Sequence, residues 1–437
     1  MATVTKPEAV FSAPGAKGHP APAERRKVAL FGIFGIQNLG NECTLDAMLN
    51  AVRERLPEAE IQVIGYDPAD TFRRHQVPTL SIVQRIDDQQ TGARGRLRRL
   101  FRLLFRRLPG EVGHWLGAVR ALRGTELMIM TGTGMLTDYS TTAFGYPYDL
   151  FKWTTAARIA GCKVRFVGIG VGPLYQRLSR IFVDAALRWA DYRSYRDDRS
   201  HHNLRQLGLG KDSDPVYPDL AFSLPRRLFA RPRAAVQRRF TVGLGVMRFV
   251  DRHASTEQER ESSYQRYLVC MCEFVEWLVA RGYGIRILQG DARHDPAVRR
   301  ELREKLQARG TDYAACGIAD EESTCTEDLV SQLAETDIVV SPRFHNLVLA
   351  MMLAKPVISI SYDPKNDALL EGFGLGQYRQ AIAEVQTQKL IEQFKEVEGA
   401  RERIAARLRK GAEEYRTRLE QQYSLILGDL GQAGIRS

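Results

Sequence analysis

An arginine and a histidine two residues apart carry the most chemistry in this sequence. Ser341-Pro342-Arg343-Phe344-His345-Asn346 stands between a short apolar run, Asp337–Val340, and a longer apolar stretch with helical spacing. A histidine at a helix start, beside an arginine, can meet an anionic ligand and exchange a proton near neutral pH. A capping or packed histidine is the plainer alternative. The position of His345 at the carboxyl end of a strand, where open α/β sheets bind ligands, favours the functional reading. The next strand is followed by another polar loop, Ser361-Tyr362-Asp363-Pro364-Lys365, and Arg248 follows the strand 240–246. Arg343, Lys365 and Arg248 thus make a candidate cationic pocket, although Arg248 reads equally well as a surface arginine.

Three glycine-rich loops sit at strand ends in the first half of the chain. Gly32 to Glu42 contains Asn38, Gly40 and Glu42; Thr131 to Asp138 contains Gly132, Gly134 and Asp138; Gly168 to Pro173 contains Gly170 and Gly172. Glycine lets the backbone turn sharply and brings amide groups close to a ligand at the positive end of a helix. The first loop also reads as a plain strand-to-helix turn capped by Asn or Glu. Its spacing is not GxGxxG and lacks the Lys-Ser/Thr of a P-loop. No GxSxG elbow, HExxH or His/Cys zinc spacing occurs, so no metal site is expected. Six cysteines at irregular spacings read as reduced, mostly buried thiols.

The elements that must position these loops follow from the period of the apolar residues. Strands are predicted over 27–34, 61–65, 126–130, 163–168 and 191–195, with helices between or after them at 42–55, 148–160, 175–190 and 197–207. Prolines and basic residues cluster at Phe222–Pro232, and the alternation then restarts. In the second half, strands are expected at 240–246, 284–289, near Tyr313, 337–341 and 357–361, separated by helices. The pattern predicts two Rossmann-like α/β domains facing a cleft, 27–225 and 226–382. A disordered tail, 1–26, precedes them, and a charged helical segment, 383–437, follows.

No apolar run is long enough to span a membrane, and the Ala/Pro/Gly-rich start makes a poor signal peptide, so a cytoplasmic protein is expected. The formal net charge is +11, and seven arginines with no acid stand between Arg94 and Arg107. Segment 94–108 has Leu97, Leu100, Phe101, Leu104 and Leu108 at helical spacing opposite Arg99, Arg102 and Arg106. It reads either as a surface helix with a solvated basic face or as a helix lying on the anionic inner face of the cytoplasmic membrane. No nucleic-acid-binding motif accompanies it, and no nucleic-acid partner is expected.

Taken in order, the motifs resemble those of polysaccharide pyruvyl transferases. Asn38-Leu-Gly40-Asn41-Glu42 is similar to that family's NxGDE loop, with Asn41 in place of Asp. Gly132-Thr-Gly134 with Asp138 resembles its second glycine loop, with Thr133 interrupting the run. Gly168-Ile-Gly170-Val-Gly172-Pro173 resembles its GIGxGP loop, Ser194-Tyr-Arg196-Asp197 its S-x-R-D strand end, and Arg343-Phe344-His345 with Tyr362-Asp363-Pro364-Lys365 its R-x-H…YDPK signature. The resemblance implies a glycosyltransferase type B-like fold and phosphoenolpyruvate as donor substrate, without a further cofactor. It also implies a sugar or lipid-linked oligosaccharide as acceptor, and carries donor-site roles to Arg343, His345 and Arg248. A nucleotide-sugar glycosyltransferase on the same fold, or a non-catalytic relative, is the alternative.

Overall fold

The structure is a computed structural model that describes residues 26–83, 108–139, 141–230, 239–251 and 254–432. The tail 1–25 and residues 94–107 of the basic segment lie outside the described residues.

Two six-stranded parallel sheets form the frame. The first contains β1 Lys27–Phe31, β2 Glu60–Gly65, β3 Thr79–Ser81, β4 Thr125–Met130, β5 Lys163–Ile169 and β6 Tyr192–Tyr195, in the order β3-β2-β1-β4-β5-β6. The second contains β7 Thr241–Gly245, β8 Gly284–Leu288, β9 Ile318–Ala319, β10 Ile338–Ser341, β11 Val357–Ser361 and β12 Arg379–Ala381, in the order β12-β11-β10-β7-β8-β9. Counted from its own first strand, each sheet follows the same doubly wound order. The direction of winding reverses between β1 and β4, and again between β7 and β10. Crevices at such reversals are where these sheets bind ligands. The central strands read as continuous apolar runs because helices cover both faces: Val28, Leu30, Leu127, Ile129, Val339 and Val340 are all buried.

Two expectations change. The segment near Tyr313 is a short helix, Tyr313–Cys316, and the edge strand comes after it, at Ile318–Ala319. Asp312 accepts a hydrogen bond from the Ala315 N–H (2.7 Å) and so caps a helical turn that apolar spacing alone could not distinguish from a strand. The charged C-terminal segment, whose pattern suits an outer helix or a pair of them, is a pair, Thr387–Gly399 and Arg401–Gln432. The second of these does not stay on the outside. Its Tyr423 hydroxyl bonds Ser223 at 2.6 Å and its Gln422 amide donates to Ser194 at 2.7 Å, while Leu419, Ile426 and Leu427 are buried.

The turn Leu220–Ser223 is where the pieces meet. The buried ring of Phe222 stacks on Phe373 of the second half (5.8 Å between centroids) and meets Tyr415 of the last helix edge-on at 5.0 Å. Phe222→Ala leaves a cavity that backbone from three directions cannot close. It is expected to cost about 3–5 kcal/mol, seen as a lower urea midpoint at unchanged slope.

Candidate active site

The loop after β1 is fixed from both sides. Gly35 has φ +75°, and a side chain there would run into the Asp67 carbonyl. Asn38 caps the helix Leu39–Arg55, its side-chain oxygen accepting from the N–H groups of Gly40 (3.1 Å) and Asn41 (3.2 Å). Glu42 does not face the cleft. It is buried, with one carboxylate oxygen accepting from the Gly35 N–H at 3.0 Å and the other 2.8 Å from His75 Nε2. His75 Nδ1 lies 2.8 Å from Asp46, whose second oxygen accepts from the Thr326 hydroxyl at 2.7 Å. The first loop is thereby tied through His75 to the second half of the chain. Burial works against the charged imidazole, but hydrogen bonds to Asp46 and Glu42 outweigh it and push His75 up to about 9.

His345 is the second residue of the helix Phe344–Met352, directly after β10. Its ring lies against Gly40, where any Cβ would overlap Nδ1. Its Nε2 is 3.6 Å from Asp219, a fully buried carboxylate that also accepts from the Ala221 N–H at 3.0 Å. Desolvation alone would raise Asp219, yet His345, Arg196 and the Ala221 amide hold it down at about 2. Arg196 lies 3.8 Å from the other Asp219 oxygen and 3.5 Å from Asp197. Its guanidinium rests 5.7 Å from the Phe344 ring centroid, and Lys365 Nζ approaches the same ring at 5.6 Å. Gly170 makes room for it, since a Cβ there would sit 2.5 Å from the guanidinium. His345 Nε2 and Arg196 Nε are two of fourteen buried side-chain atoms without a hydrogen-bond partner among the described residues. Buried polar atoms left in that state are uncommon and ask for a ligand or water.

A cavity of about 520 Å³ opens between the halves beside Arg196, and His345 is not among the residues that line it. Gly134, Gly170 and Gly172 line it, with Arg196, Arg199 and, from the second half, Lys365. Asp138 clamps the rim from behind, its two oxygens accepting from the N–H groups of Tyr175 and Gln176 (2.8 Å each). Burial resists its ionisation, but those bonds keep its carboxyl below the usual range. Gly132 packs on the Gly168 carbonyl, and Tyr362 is half-buried beneath Lys365, whose Nζ lies 5.0 Å from its ring.

The two expected anion-binding arginines are occupied by protein. Arg343 bonds Asp295 through Nε (3.2 Å) and Nη2, and its Nη1 is 3.9 Å from Asp291. Arg248 is exposed, paired with Glu261 at 2.6 Å and lying 4.4 Å over the Tyr264 ring.

The sequence matches the family described as polysaccharide pyruvyl transferase over residues 38–364. The chain belongs to that family. No curated protein matches it. Solved structures with the same fold include UDP-GlcNAc 2-epimerase from Neisseria meningitidis bound to UDP-GlcNAc, with 11% identity, 91% of this chain and 100% of that one covered, and a TM-score of 0.52. The S. aureus MnaA–UDP co-structure gives 12%, 93%, 97% and 0.53. A glycosyltransferase from Rickettsia africae gives 12%, 93%, 99% and 0.50. At these identities the likeness is one of fold: two Rossmann-like domains in the glycosyltransferase type B arrangement. The stretch matched to the pyruvyl transferases contains Arg196, Asp219, Arg343 and His345 and stops one residue short of Lys365. Arg196 stood in the sequence only as part of a strand-end motif, and Asp219 and His75 gave no local signal, because their partners lie in distant parts of the chain.

Two outcomes are expected. Gly40→Ala drives a methyl into the His345 ring and should lower stability by about 1–3 kcal/mol in thermal melts, whereas Gly134→Ala, which has open space around its Cβ position, should not. His75 binds its proton more tightly in the folded chain, about 9 against 6.5. Its contribution, on the order of 3 kcal/mol, is therefore complete below pH 6.5 and lost as pH rises through 9. His75→Gln should flatten that part of the stability–pH profile.

Proposed function

We propose that this chain transfers a pyruvyl group from phosphoenolpyruvate to two hydroxyls of a saccharide, forming a cyclic ketal and releasing phosphate. The observation that carries the reading is the group around Phe344: two cations, Arg196 and Lys365, flank the ring at 5.7 and 5.6 Å, and His345 is the adjacent residue. The two cations also line the cavity between the two domains. A guanidinium and an ammonium facing one space suit a small ligand with a carboxylate and a phosphate. Arg343, already neutralised by Asp295 and Asp291, serves instead to hold the turn on which the first loop rests.

In this mechanism His345, as imidazolium, gives its proton to the methylene carbon of phosphoenolpyruvate. Positive charge develops at the carbon bearing the phosphate oxygen, and a sugar hydroxyl adds there, its proton returning to the imidazole. The bond to phosphate then breaks, and the second hydroxyl closes the ketal as its proton leaves with the phosphate. Asp219 stays ionised behind the ring throughout and fixes the orientation of Nε2. The lost phosphate and the new methyl group balance the two hydroxyl protons. A nucleotide-sugar donor is the competing reading, since it would also place anionic oxygens in the cleft.

The two readings separate in thermal shift. Phosphoenolpyruvate at about 100 times its dissociation constant should add about 2.7 kcal/mol of stability, and Arg196→Ala and Lys365→Ala should each reduce that gain. Stabilisation by a nucleotide sugar and none by phosphoenolpyruvate would overturn the proposal. His345→Ala is expected to lower kcat by about 100- to 10,000-fold with the fold intact. Turnover within a few-fold of the parent would remove His345 from the proton-transfer role.

A further inference from the structure

We propose that the outer face of the first domain, beside the mouth of the cavity, docks on an anionic lipid bilayer. Three neighbouring helices build this face: Leu108–Ala121, Tyr146–Ile159 and Arg177–Arg188. Their aromatic rings form one ridge. Trp115 meets Phe151 at 5.9 Å, Phe151 stacks on Phe182 at 5.3 Å, and Phe182 meets Phe144 at 5.9 Å. Around the ridge, large apolar side chains stand in solvent: Leu116 is 52% exposed, Phe144 67% and Ile181 61%, with Val112 and Ile159 similar. A contiguous apolar patch of this kind on a folded domain marks an interaction surface.

Position and charge choose the occupant. The patch begins where the cavity ends. Tyr139, Tyr175 and Arg180 line the cavity, and Phe144, Leu178 and Ile181 continue the same two stretches of chain outwards. An acceptor anchored in a plane against the patch would therefore present its polar head to the cavity mouth. The acids on the three helices are all engaged. Glu111 pairs with Lys152 at 3.2 Å, Asp149 accepts from the Tyr66 hydroxyl at 2.8 Å, and Asp184 pairs with Arg188 at 2.8 Å. Arg120 and Arg177 are exposed on the same helices. Apolar and aromatic side chains on helices that also expose Arg120 and Arg177 match the boundary between headgroups and acyl chains of an anionic leaflet.

Docking does not depend on the chemistry; only the inference that the acceptor is a lipid-linked saccharide rests on the pyruvyl-transfer reading. The test is flotation of the full chain with vesicles of phosphatidylcholine containing about one third phosphatidylglycerol. The parent should float, release at high salt, and fail to float with phosphatidylcholine alone. Leu116→Ser, Phe144→Ser and Ile181→Ser combined should weaken vesicle binding by about tenfold or more. All three side chains are exposed, so the melting temperature and the stabilisation by phosphoenolpyruvate should stay at parental values. Equal binding by the triple variant, or binding indifferent to phosphatidylglycerol, would overturn the proposal. So would a parental dimer that the triple variant splits, with no vesicle binding by either. Vesicle binding without stabilisation by phosphoenolpyruvate would uphold the surface and refute the donor reading.

Discussion

A carboxylate removed from water must be matched by donors, and Asp295 is fully buried at the meeting of the two halves. Burial raises its pKa even though Arg343 opposes that shift. Its donors are Arg343 and the N–H groups of Gly290 and Asp291, both at 2.9 Å. That arrangement sets the turn 289–295, and the turn receives the first loop by backbone hydrogen bonds: Leu39 N–H to the Gly290 carbonyl at 3.2 Å and Ala292 N–H to the Gln37 carbonyl at 2.8 Å. Gly40 is then delivered against His345. The position of the His345 ring thus depends on the ion pair of Arg343 and Asp295. Removing either partner of such a pair leaves a buried charge and costs far more than the pair itself contributes.

This explains why the arginines divide as they do. Arg343 and Arg196 both stand at strand ends beside helix starts, and both are largely buried. Arg343 meets a carboxylate in a two-point contact, which uses its directional donors. Arg196 meets Asp219 and Asp197 only at 3.8 and 3.5 Å, and its Nε bonds nothing among the described residues. Its charge is balanced but its donors are not, which leaves it able to take up an anion without first breaking a strong pair.

Much of the frame was legible in the sequence because buried parallel strands are apolar runs and glycine marks their carboxyl ends. The three-residue strands Thr79–Ser81 and Arg379–Ala381 were not, since a run that short shows no period. The loops were readable, but the direction each side chain takes within them was not. Glu42 and Asp138 look like cleft carboxylates in the sequence and turn inward because unpaired backbone amides lie behind them. Asp219 follows a proline just ahead of the stretch that reads as a linker, and only the packing of the last helix over Leu220–Ser223 shows why it is buried. Chemistry that belongs to one loop can be read from spacing; chemistry shared between loops depends on tertiary contacts.

The last helix has a mechanical consequence. It starts at Arg401 against the second half, where Arg407 donates to the Gly374 carbonyl at 2.7 Å, and it ends with Tyr423 and Ile426 buried in the first. A continuous rod clamped at both ends resists bending far more than a peptide linker does. The halves therefore cannot swing apart as on a free hinge, and relative motion is confined to small twists about the rod. Widening the cleft therefore requires this helix to bend or to leave one of its two seats.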